Sequence, residues 1–362
     1  MATPALLFLR PEHFARQEEV LVTLGALAAS TFTFSTGVPA VRLSSDMGNT
    51  VILPFQGQHV WSAHFGGRDL SWDSMVKEPT TGAPFLNTFG GMLQHCGLLA
   101  IGGPGPRDTH ALHGEFPNAP MQEAWIEAGS DEQGDYLALG GSYTYAAAFA
   151  NHYVARPSIH LHAGETLLHV SLEVTNLKRT PMDLFYLAHI NFLPVDGGRL
   201  VYSAPRDPAH VRARAEIPTH VAPKPGYVEL IDSFKSDPLR HETLEGGEIY
   251  DPEVVFFIDY TADDDGYAHT LQVHPDGSAD YVRHRPAELP RVTRWISRTP
   301  DQDAIAIAEL GTAEPMGYSA AKEKGMAWVL GPGESYRCAY SFGLLPADVA
   351  GAVAKRVDAM RG

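Results

Sequence analysis

Apolar and polar residues alternate with a period of two along much of this chain. Ile159-His160-Leu161-His162 and Leu167-Leu168-His169-Val170-Ser171-Leu172-Glu173-Val174 both read as strands with one buried face. The intervening Ala163-Gly164-Glu165-Thr166 has the composition of a hairpin turn. Residues 254–258, 304–310 and 336–344 are apolar runs of strand length. The 34 glycines and 27 prolines are spread over the whole length rather than gathered in one linker, so they punctuate short strands. The pattern predicts an all-β fold, a large antiparallel β-sandwich with few short helices. The strongest helix signal is 346–360, where Pro346 and Asp348 open a segment with Val349, Val353 and Val357 four apart. A second candidate helix lies at 11–27. The proline-rich stretch 218–225 reads as a boundary or, equally well, as a long sandwich loop. No internal repeat or low-complexity tract interrupts the chain.

Length and charge narrow the picture. All-β sandwiches run past the usual ~100–200 residues per domain, so the 362 residues are expected to form one domain. Its core should lie at about 40–345, with the C-terminal helix at about 346–360. The net charge of −16 repels phosphate backbones and anionic membranes, which excludes nucleic acid and lipid surfaces as expected partners. Arg206, Arg212 and Arg214 form the nearest basic cluster, and they read as solvated charges. Two cysteines, Cys96 and Cys338, are too few for a disulfide framework or a structural zinc site and fit a reducing compartment. The first ten residues lack a basic region and a full apolar stretch, so no signal peptide is expected, and no run reaches the ~18 apolar residues of a membrane span. A cytoplasmic protein is the expectation. Exposed strand edges leave a homodimer open.

Five segments carry chemistry, in this order: Phe89-Gly90-Gly91-Met92-Leu93-Gln94-His95-Cys96; Leu112-His113-Gly114-Glu115-Phe116-Pro117-Asn118; Thr175-Asn176 followed by His189-Ile190-Asn191-Phe192; Tyr250-Asp251-Pro252-Glu253; and Ala313-Glu314-Pro315 followed by Pro332-Gly333-Glu334. Their order and spacing resemble the aldose 1-epimerase (galactose mutarotase) superfamily, in a divergent branch, over roughly residues 40–345. The resemblance implies a mutarotase-like supersandwich that interconverts the α and β anomers of a free sugar, with no cofactor. It implies His189 as the general acid and Glu314, ahead of the Pro-Gly-Glu turn, as the general base. It further implies His113 and Asp251 as sugar-binding residues, with His95, Asn118 and Trp295 as further candidates to hold hydroxyls or offer a flat apolar face. The chain departs from the pattern where the classical arginine of the first segment is absent, where Ala188 rather than Asn precedes His189, and where Ala313-Glu314-Pro315 replaces Leu-Glu-Thr. These departures bear on which sugar is bound.

The chemistry suits those residue types. Opening a cyclic hemiacetal requires a proton at the ring oxygen and removal of one from the anomeric hydroxyl, hence one acid and one base on opposite sides of the sugar. A histidine and a glutamate supply both near neutral pH. Two rivals use the same strands differently. One is a non-catalytic carbohydrate-binding or sensor protein. The other is a cupin-type metal enzyme built on His160-x-His162, whose rings share one strand face. No metal site is expected, because no further histidine stands at a convincing spacing and solvated strand histidines account for the pair. No Gly-x-Ser-x-Gly or nucleotide-binding glycine motif is present.

Overall fold

A computed structural model describes residues 3–217 and 223–361. Within them, strands assemble into two antiparallel sheets of nine and thirteen strands. The alternation that predicts strands also explains why the sheets stack. On the Met182–Ile190 strand, Leu184, Tyr186, Ala188 and Ile190 enter the main core. They meet Leu168, Val170 and Leu172 from the Leu167–Asn176 strand of the smaller sheet. The intervening Phe185 and Leu187 face the other way and join Cys96, Ile101 and Ala313 in a separate apolar cluster. The larger sheet is therefore buried on both sides over this region. That is what allows a cavity to form on its outer face.

The expected strands are all present. Residues 159–162 end the His152–His162 strand, which pairs with Leu167–Asn176 across the predicted turn. Residues 254–258, 304–310 and 336–344 fall within Tyr250–Ile258, Asp303–Gly311 and Ser335–Leu345. The C-terminal helix spans Ala347–Arg361. Its buried face is Ala350, Ala354 and Val357, packed on Val201, Leu271, Ala279 and Tyr281, while Val349 is exposed.

The expected helix at 11–27 does not form. A short 3-10 turn at Pro11–His13 leads into strands Glu19–Leu24 and Leu27–Thr33. Val20, Val22 and Thr23 are β-branched and favour extended backbone. Gly25, at φ +57°, supplies the left-handed residue that closes Leu24 against Leu27. Of the proline-rich stretch, residues 218–222 lie outside the described residues. Among those described, no helix is long and apolar enough to cross a membrane. Cys96 and Cys338 are both buried and unpaired.

Candidate active site

Three neighbouring strands of the larger sheet, Tyr250–Ile258, Arg291–Arg298 and Asp303–Gly311, run beside Met182–Ile190 and Leu93–Leu98. His189 pairs with Gln94 on one side. On the other, the Ala188↔Leu310 pairing, continued by one residue, brings His189 opposite Glu309. Glu309 in turn pairs with Thr293, and Thr293 with Phe257. One row of side chains thus crosses five strands.

A β-bulge places Glu309 in that row. Thr293 pairs with Glu309, yet Trp295 pairs with Ala306, so the Asp303–Gly311 strand holds one extra residue between those positions. Ile305, Ile307 and Ala308 all face the main core, whereas Ala304 and Ala306 pack outward against Trp72 and Trp295. Without the bulge, Glu309 would share the phase of Ile305 and Ile307 and point into the core. Bulges commonly re-aim a side chain in this way.

Around the row lies a cavity with two connected lobes that share His113, His189, Glu253 and Trp295. The inner lobe, about 70 Å³, adds Arg214, Thr293 and Glu309. The outer lobe, about 370 Å³, adds Trp72, Phe85 and Phe89, within the ~300–1,000 Å³ typical of small-molecule sites. The Phe89 ring centroid lies 5.0 Å from that of Trp72 and 4.9 Å from His189, and Trp295 lies 5.4 Å from His189. The walls are aromatic and the floor is acid and imidazole.

The proton positions follow from the hydrogen bonds. Asn191 Nδ2 donates to the Gly91 carbonyl at 3.2 Å, so its Oδ1 faces His189 Nδ1 at 2.8 Å. That oxygen only accepts, so Nδ1 carries the proton and a neutral His189 presents a bare Nε2. Nε2 lies 3.1 Å from Glu309 Oε1. The two are close but not aligned: Oε1 is buried and makes no hydrogen bond with the described residues. Burial lowers the His189 pKa to about 4, against opposing contributions from Asn191 and the charge of Glu253. Burial, reinforced by the Glu253 charge, holds the Glu309 carboxyl well above the usual carboxylate range, with Arg214 acting in the other direction. Both groups therefore favour their neutral forms, with the proton on Glu309. Glu253 is differently placed. Its Oε1 accepts from Arg214 at 2.5 Å and its Oε2 from Trp295 Nε1 at 2.7 Å, which fixes both the carboxylate and the indole.

The structure brings together His189, His113 and Trp295 from the sequence-derived candidates. His113 approaches from the loop after Leu93–Leu98, at φ +60°, with its ring centroid 5.5 Å from that of His189. The remaining candidates stand elsewhere. Glu314 lines neither lobe, and its carboxylate takes a hydrogen bond from Lys324 at 2.8 Å, with Arg212 3.8 Å away. Asp251 pairs with Lys224 and also lines neither lobe, although Pro252 and Glu253 beside it do. His95 is one residue out of phase with Gln94 and Cys96. It lies between the sheets, bonded to the Tyr186 hydroxyl at 2.7 Å, and burial lowers its pKa to about 3. Asn118 braces loops, accepting from Gln56 at 3.0 Å and donating to Thr88 at 2.8 Å.

Sequence reasoning passed over Glu309, Glu253 and Arg214. A single carboxylate within Ala304-Ile305-Ala306-Ile307-Ala308-Glu309-Leu310 was a usable signal, since a lone acid in an apolar strand is rarely buried without a purpose. The three arginines are not simply solvated: Arg206 pairs with Glu242, Arg212 with Asp259 and Arg214 with Glu253. Nor is His162 solvated; it is 3% exposed.

The fold has clear counterparts among solved structures. A candidate aldose 1-epimerase from Klebsiella pneumoniae subsp. pneumoniae superposes with a TM-score of 0.82 at 17% identity, covering 99% of this chain and 96% of that one. A galactose mutarotase-like protein from Clostridium acetobutylicum gives 0.58 at 13% identity, covering 88% and 99%. A mutarotase candidate from Salmonella typhimurium gives 0.57 at 12% identity, covering 90% and 96%. These likenesses establish the fold, a mutarotase-like supersandwich. No curated protein matches the chain by sequence. One family model does, across residues 35–344, which takes in every strand that builds the cavity: the chain belongs to the family described as "Domain of unknown function (DUF4432)".

Proposed function

We propose that this protein is an acid–base isomerase of the mutarotase kind, which opens and recloses the ring of a free sugar at the His189–Glu309 pair. The observation that carries this reading is the pair itself. A buried carboxyl oxygen without a hydrogen-bond partner among the described residues stands 3.1 Å from a bare imidazole nitrogen, at the bottom of an aromatic-walled cavity. Unsatisfied buried polar groups are uncommon and call for an explanation, and a ligand whose ring oxygen meets Glu309 while its anomeric hydroxyl meets His189 supplies one. The likeness of the fold to candidate aldose 1-epimerases supports the reaction class.

In this reading the protonated Glu309 donates to the ring oxygen while His189 Nε2 accepts the proton of the anomeric hydroxyl. The bond between the anomeric carbon and the ring oxygen breaks as the carbonyl forms. Rotation about the adjacent carbon–carbon bond and reversal of both transfers give the other anomer, so no proton is consumed. Glu309 thus stands in place of Glu314 as the carboxyl partner of His189, with the donor and acceptor roles exchanged, and the two groups lie side by side, 3.1 Å apart, rather than on opposite sides of the sugar as the sequence reading expects. Glu253 accepts hydrogen bonds from sugar hydroxyls. Trp295, Trp72 and Phe89 pack on the apolar faces of the ring. Asn191 holds the imidazole tautomer.

Anomer exchange measured by NMR magnetisation transfer over a panel of aldoses, ketoses and deoxy sugars tests the proposal. Acceleration for one sugar class, lost in both Glu309→Gln and His189→Gln while Glu314→Ala retains it, is the expected result. Saturable sugar binding without exchange would assign the fold a binding role instead. Loss in Glu314→Ala alone would return the base to that residue.

A further inference from the structure

The outer face of the smaller sheet holds a second cluster of imidazoles, far from the His189 row and unused by it. His160 pairs with His169, and His169 pairs with Ser341 on the Ser335–Leu345 strand. His162 shares the face of His160, and the turn after it carries Glu165. We propose that His162, Glu165 and His169 form a binding site for a divalent transition-metal cation of the zinc class.

One ligand atom from each of these three residues lies within 4.8 Å of the others. Two imidazoles and a carboxylate are a donor set that suits zinc, with positions left open. The second nitrogen of each ring is already held, as in metal sites where an outer partner fixes the ligand. His162 Nε2 faces the Asp131 carboxylate at 3.1 and 3.2 Å. A carboxylate only accepts, so that nitrogen carries the proton and Nδ1 is bare. Nδ1 is buried and makes no hydrogen bond with the described residues. His169 Nδ1 lies 2.9 Å from the Ser341 hydroxyl, which serves either tautomer, and its Nε2 lies 2.6 Å from Glu165 Oε2. A cation would replace the proton between Nε2 and Glu165 and satisfy His162 Nδ1 together. His162 and His169 line a cavity of about 300 Å³ together with Arg283 and Arg285. Asp131 and Glu165 offset those two charges, and the arginines favour an anion as the outermost ligand of the bound cation.

The probe is Zn²⁺ alone, titrated calorimetrically into the full chain after chelator treatment, in a non-coordinating buffer. One Zn²⁺ per chain is expected. His162→Gln, His169→Gln and Glu165→Gln should each weaken binding more than Asp131→Asn, whose loss as an outer partner is worth ~10–100-fold. His160→Gln and His189→Gln should leave binding unchanged, which separates this site from the sugar cavity. Glu165→Gln lies in a turn and disturbs folding least, and thermal unfolding of each metal-free variant checks that the fold is retained. Absence of saturable uptake, or uptake unaltered in Glu165→Gln and His169→Gln, would overturn the proposal.

Discussion

Each sheet carries a polar row on the side away from the shared core, and the two rows differ in what lies above them. On the larger sheet, Gln94, His189, Glu309 and Thr293 stand on adjacent strands beneath Phe85, Phe89, Trp72 and the His113 loop. On the smaller sheet, His160, His169, Ser341 and Arg283 stand on adjacent strands with no such cover among the described residues, and an acid lies beside both His162 and His169. The residue types overlap, yet the outcomes diverge. Under the roof both groups are buried, which favours the neutral imidazole and the protonated carboxyl. On the open face, carboxylates pair with imidazoles. In the two readings proposed above, the roofed groups transfer protons and the open ones bind a cation.

The comparison breaks most completely if Glu309 is turned away. Inserting one alanine between Ala308 and Glu309 gives the inserted residue the outward position opposite Thr293 and moves Glu309 one place along the alternation. Glu309 then points into the core. Exchange should vanish, and urea unfolding should report a loss of about 2 kcal/mol or more, because a polar group is buried without a partner. Glu309→Gln is gentler. Exchange should fall ~10²–10⁴-fold with the unfolding midpoint unchanged or raised, whereas His169→Gln on the open face leaves exchange intact.

Acid tests the roof in a different way. Burial lowers the pKa of His59 and His189 to about 4, and of His95 and His284 to about 3. The unfolded chain binds these protons near pH 6.5 and the folded chain does not, so stability is lost as pH falls from about 6.5 towards 3–4. Urea midpoints at pH 7 and pH 5 should show the decline, and exchange should fall through about pH 4 as His189 Nε2 takes a proton. The smallest effects are expected outside the cavity. Glu314→Ala and Asp251→Ala each remove a partly exposed ion pair, so stability should change by about 1 kcal/mol or less and exchange by less than twofold.

Much of this was legible in the sequence. The period-two runs, the 163–166 turn and the C-terminal helix stand where the pattern places them, because each is decided by local alternation and turn chemistry. His189, His113 and Trp295 were legible for a related reason, since each sits in a segment whose neighbours are ordered by its own strand or loop. Glu309 was not. Its direction depends on how Asp303–Gly311 pairs with Arg291–Arg298, and a bulge is a property of two strands that neither sequence displays alone. His95 misled for the complementary reason: one position along a strand separates the cavity from the core.

The link between Glu253 and Arg214 has a consequence for selectivity. Arg214 is the single cation among the described residues lining either lobe, and Glu253 already occupies it. A phosphorylated ligand would have to break that contact and bring a dianion beside a carboxylate in a water-poor space. Phosphorylation of the ligand should therefore act as an exclusion tag, so that the cavity discriminates by charge before shape and sorts unmodified from activated metabolites.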